Sequence, residues 1–96
     1  MNEEIFTSSL KNTAPPEGLS VILAALWWEK KGDWQKAHDL VEHENSAAGA
    51  WIHAYLHRVE GDTWNADYWY RHAGKVRPSV STSEEWSQLV NNFLPR

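Results

Sequence analysis

The sequence predicts an all-α domain in which two antiparallel helical hairpins, spanning 17–43 and 46–74, are closed by a C-terminal capping helix over 82–94. Three features point to it. Apolar residues recur at helical spacing, as in Leu19, Ile22, Leu23, Leu26 and Trp27. The pairs Gly32-Asp33 and Gly61-Asp62 lie 29 residues apart and combine a helix stop with a helix cap. The stretch 51–74 carries three of the seven Trp, all three Tyr and three of the five His, a density that suits either the centre of a small core or a binding face.

Residues 1–14 are polar and weakly patterned, so they are expected to be weakly ordered, with Ile5, Phe6 and Leu10 offering one short amphipathic turn. Pro15-Pro16-Glu17 resembles a helix entrance, since proline tolerates the first turn and a carboxylate suits the positive end of the dipole. The first helix is therefore expected over 17–31. Val21, Ala24, Ala25 and Trp28 widen its apolar stripe almost all round, which gives it a central position.

Gly32 ends that helix and Asp33 caps the next, expected over 34–43 with Trp34, Ala37, His38 and Val41 on one face. Ser46 is the expected cap of a third helix running to residue 60, with Ala48, Trp51, Ile52, Tyr55, Leu56 and Val59 inward. Gly61-Asp62 repeats the stop and cap. A fourth helix over 63–73 places Ala66, Trp69, Tyr70 and Ala73 on one face, and Gly74 with Pro78 prevents its continuation. Thr82 and Glu85 have capping-box spacing, and Trp86, Leu89, Val90 and Phe93 make one clean stripe on the last helix.

Ninety-six residues is one domain's length, 1–96, with no room for a separate cofactor domain. The absence of Cys removes disulfides and thiolate metal sites, and together with an acidic N-terminus points to a reduced, cytoplasmic compartment. The longest apolar run, 19–28, is too short to span a bilayer. Net charge is -4 with scattered Lys and Arg, which argues against a nucleic-acid partner. Protonating all five His takes the charge to +1 and reverses the sign of the surface potential.

A shift of 29 residues places Gly32, Asp33, Ala37 and His43 on Gly61, Asp62, Ala66 and His72, and Leu40-Val41 on Trp69-Tyr70. The small Ala lets two helices approach closely while the large pair fills the groove. This pattern resembles the tetratricopeptide superfamily of helix-turn-helix repeats over about Leu19 to Gly74, most closely in Asn65-Ala66-Asp67-Tyr68-Trp69-Tyr70-Arg71-His72-Ala73-Gly74. The resemblance implies a right-handed stack of hairpins that offers a groove to a partner. The chain as a whole also resembles a small bacterial protein family that carries no function over.

Two sites compete for the function. His53 and His57 are four residues apart and share a helix face, as metal-binding His pairs do, with Glu60 three residues on and His38 approaching from the neighbouring helix. The plainer alternative makes them a polar flank opposite the Trp51/Tyr55 stripe. Trp28, Trp64 and Tyr68 are the aromatics the core stripes explain least, so they form either a stacking platform or a second packing layer. Glu60, Asp62, Asp67 and His72 can be assembled into an acid–base set, but Asp62 has a cap to make and no phosphate loop or nucleophile elbow accompanies them.

The expected function is thus a non-enzymatic interaction module that needs no cofactor. Its partner is a protein or peptide, or a second copy of the chain in a homodimer, held by Trp28, Trp64 and Tyr68. The alternative is a metal or small-ligand site at His53 and His57 with His38.

Overall fold

Gly32 and Gly61 adopt φ of 99° and 89°, left-handed values that end a helix without a Cβ penalty. The next residue in each case caps the following helix, Asp33 accepting from the Lys36 amide and Asp62 from the Asn65 amide. The computed structural model describes residues 1–95 and contains helices alone among them: α1 (Glu3–Ser8), α2 (Val21–Lys30), α3 (Trp34–Val41), α4 (Ala47–Glu60), α5 (Thr63–His72) and α6 (Thr82–Phe93). A 3-10 turn, Ser9–Lys11, extends α1. None of these helices is long and apolar enough to cross a membrane.

Helix α2 packs chiefly on α3 and α4 chiefly on α5, while α3 also meets α4. Helix α6 lies against α1, α2 and α4 and buries Trp86, Leu89 and Val90. The main core joins these with Phe6, Leu26, Trp27, Val41, Ile52, Tyr55 and Leu56. A smaller cluster, Ala54, Ala66 and Tyr70, lies where α4 meets α5, so Ala66 occupies the close approach that its small size suits.

Several boundaries differ from the sequence expectation. The first helix of 17–31 begins only at Val21, because Ser20 caps it by accepting from the Leu23 amide and Gly18 turns the chain at φ 82°. Residues 1–14 carry α1, capped by Asn2, and place Phe6 in the core against Trp86, with ring centroids 5.9 Å apart. Ser81 rather than Thr82 caps α6. Glu85 is free of capping duty and is buried, accepting from the Tyr70 hydroxyl at 2.6 Å and from Arg58 at 2.8 Å. Arg58 also donates to the Val80 carbonyl, so this one carboxylate fastens α6 to α4 and α5.

Six of the seven indoles are buried or half-buried, in more ways than helix stripes anticipate, and Trp64 is exposed. Buried Trp27 and Trp86 donate to the Ser9 hydroxyl at 3.0 Å and the Leu26 carbonyl at 2.9 Å. Half-buried Trp28 and Trp51 lie under Lys36 and Lys75, whose ammonium groups sit 4.1 and 4.3 Å from the ring centroids. Trp69, expected inward, is half-buried, and Val59, also expected inward, is exposed.

Candidate metal centre

His38 on α3 and His53 and His57 on α4 converge. One ring nitrogen from each lies within 4.8 Å of the others. The helical period brings His53 and His57 onto one face, and their rings stack at 4.9 Å. His38 reaches them from α3, its Nε2 3.0 Å from His53 Nε2. A hydrogen bond between two ring nitrogens requires that one be protonated and the other bare. The polar-flank alternative is therefore corrected: His53 and His57 are 6 % and 7 % exposed, because they face α3 and α5 instead of solvent.

Two indoles wall the cluster. Trp34 stacks on His38 at 5.0 Å, is tilted against His57, and is locked by donating its N–H to the Leu56 carbonyl at 2.7 Å. Trp69 stacks on His53 at 4.1 Å with the planes only 12° apart. Burial, with His38 and then His57 adding repulsion, pulls His53 from the usual 6.5 down to about 4, so its imidazole is neutral near pH 7.

Two carboxylates back the rings. Glu60 contacts His57 Nδ1 at 2.6 Å, a carboxylate that favours a proton on that nitrogen over Nε2 in the neutral ring. Glu42 lies 4.0 Å from His38 Nδ1, a buried nitrogen with no hydrogen-bond partner among the described residues. Three nitrogens on a tetrahedral zinc, at about 2.0–2.1 Å from the ion, stand about 3.4 Å from one another. The His38–His53 separation of 3.0 Å is close to that spacing, and all three nitrogens lie within 4.8 Å of one another.

The three His and Glu60 are expected from the sequence, but Glu42 and the indole walls are not. Trp34, His38 and Glu42 stand at successive i, i+4 steps, and His57 with Glu60 at i, i+3, so the signal was present in the spacing. Trp34 and Trp69 looked like core residues, and their role as walls depends on how α3 and α5 flank α4.

Trp28, Trp64 and Tyr68 do not form one surface through ring contacts. Trp64 is 75 % exposed and Tyr68 is its stacking neighbour at 6.2 Å. Trp28 instead packs edge-on against Trp27 at 4.9 Å and lies under Lys36. The residues of the acid–base set each have separate duties: Asp62 caps α5, Asp67 pairs with Arg77, Glu60 with His57, and His72 contacts the Tyr68 carbonyl.

A pocket of about 330 Å³ adjoins the cluster. His53, Trp69 and His72 line one side, Val41 and Ala50 its floor, and Glu42, Glu44, Asn45, Ser46 and Ala47 its rim. Gly49 makes the rim possible, because a Cβ there would collide with the Glu44 carbonyl where the 42–46 loop crosses α4. No family model, curated protein or solved structure matches this chain.

Proposed function

We propose that this protein binds a divalent transition metal, of which zinc is the reference case, through His38, His53 and His57. The observation that carries the reading is the convergence of three imidazole nitrogens within 4.8 Å. Imidazole ligands without thiolate suit zinc, copper, nickel and cobalt rather than calcium or magnesium. Carboxylates behind metal-binding His rings are the usual means of fixing the tautomer, and Glu60 stands in that position to His57.

Calorimetric titration with zinc at pH 7 tests this. The expected result is one ion per chain, proton release on binding, and at least about tenfold weaker affinity in His38→Ala, His53→Ala and His57→Ala. His43→Ala, at an exposed position away from the cluster, should titrate like the parent. Superstoichiometric binding indifferent to all three substitutions overturns the site.

A second reading is favoured by the exposure of Trp64 beside Tyr68. In it the α2–α3 and α4–α5 pairs are the two hairpins of a right-handed, tetratricopeptide-like unit acting as a non-enzymatic interaction module in the cytoplasm. Pairwise packing of consecutive helices and the paired Gly-Asp junctions support it. The Trp64–Tyr68 face would hold a protein or peptide, or the same face of a second copy.

A further inference from the structure

We infer that a metal held by the three His keeps one coordination position open to the adjoining pocket, and that this position takes a neutral nitrogen donor, such as an imidazole or a peptide His side chain. The inference rests on the three-His reading above and adds what the site binds.

Zinc sites closed by four protein ligands are structural, whereas three ligands leave a position for an exchangeable group. Among the described residues no fourth His, Cys or carboxylate joins His38, His53 and His57 in one mutually close set. Glu42 approaches only the far nitrogen of His38, and Glu60 is engaged on His57 Nδ1. Access is also restricted. Trp34 covers the His38 side and Trp69 lies flat on His53, while the pocket reaches the cluster at His53 itself.

The pocket's chemistry selects the donor. Its volume of about 330 Å³ admits a small ring, and the Trp69 indole offers a stacking face. Glu42 and Glu44 stand on the rim and no Lys or Arg lines the pocket, so a small anion drawn by the ion's own charge must pass two carboxylates on entry. A neutral imidazole meets none and brings a lone pair suited to the same metals.

The test uses the full chain loaded with cobalt(II), whose visible spectrum reports its ligands. Imidazole is expected to change the spectrum saturably, with azide needing at least tenfold higher concentration. Ala47→Trp, at an exposed rim position, should retain stoichiometric cobalt binding and lose the imidazole response. Cobalt bound stoichiometrically with a spectrum indifferent to imidazole and azide overturns the open position and leaves the three-His site standing. A response to azide at lower concentration than imidazole overturns the donor class. An unchanged response in Ala47→Trp overturns the route through the pocket. Failure to bind cobalt at all overturns both this inference and the site on which it rests.

Discussion

His38 and His53 meet nitrogen to nitrogen at 3.0 Å, although they belong to different helices and lie 15 residues apart. That contact ties α3 to α4 at the point where Trp34 stacks on His38 and Trp69 on His53. It makes the packing of α3 on α4 depend on a hydrogen bond between two imidazoles.

The metal-free protein should lose stability in mild acid. His53 is held at about 4 in the fold against 6.5 in the unfolded chain. Its contribution is therefore complete above about pH 6.5 and is lost as pH falls from there towards 4, because the unfolded chain takes up the proton first. The loss amounts to at most about 3 kcal/mol. His38 and His57 oppose a charge on His53, whereas the Glu42 and Glu60 carboxylates favour one. Urea denaturation at pH 7, 5.5 and 4 checks this, and His53→Gln should flatten the pH dependence. A parent protein equally stable at all three values would show that His53 is readily protonated in place.

Removing Glu85 should be among the costliest single changes. Glu85→Ala leaves Arg58 without its buried counter-ion and the Tyr70 hydroxyl without an acceptor, a loss of about 3–5 kcal/mol. Glu85→Gln keeps an acceptor and should cost less. Equal denaturation midpoints for parent and Glu85→Ala would mean that α6 is held by its apolar stripe alone.

Two glycines should resist alanine for different reasons. Gly61→Ala places a Cβ in a left-handed cap and should cost about 1 kcal/mol or more. Gly49→Ala drives a Cβ into the Glu44 carbonyl and should cost about 1–3 kcal/mol while displacing the pocket rim. Asp62→Ala, which removes a cap, belongs with the first at about 1 kcal/mol. Thermal denaturation of the three variants ranks them, and an unaltered Gly49→Ala would place the 42–46 loop away from α4.

Trp64 and Trp86 should separate surface from core. Trp64→Ala is expected to change stability by less than about 0.5 kcal/mol and to remove a red-shifted part of the fluorescence. Trp86→Ala should cost about 3–5 kcal/mol, since the ring is buried and donates to the Leu26 carbonyl. If the Trp64 face pairs two copies, sedimentation across a dilution series will show a dimer that Trp64→Ala abolishes. A strictly monomeric parent at high micromolar concentration assigns that face to another partner or to solvent.

The sequence by itself determined the all-helical class and most helix ends, because those depend on local chemistry. A glycine at positive φ, a carboxylate accepting from an amide three residues on and an apolar stripe of helical period each act within a few residues. The metal candidates were legible for the same reason, His53 and His57 being a single helical turn apart. Only the tertiary structure decided that His38 joins them, that both α4 imidazoles are buried and that Trp34 and Trp69 enclose them. It also took Glu85 from a capping box into a buried ion pair, ordered Phe6 against Trp86 and separated Trp28 from Trp64 and Tyr68. These outcomes depend on which faces of neighbouring helices meet. Helical periodicity defines the faces, but packing across contacts distant in sequence selects their neighbours.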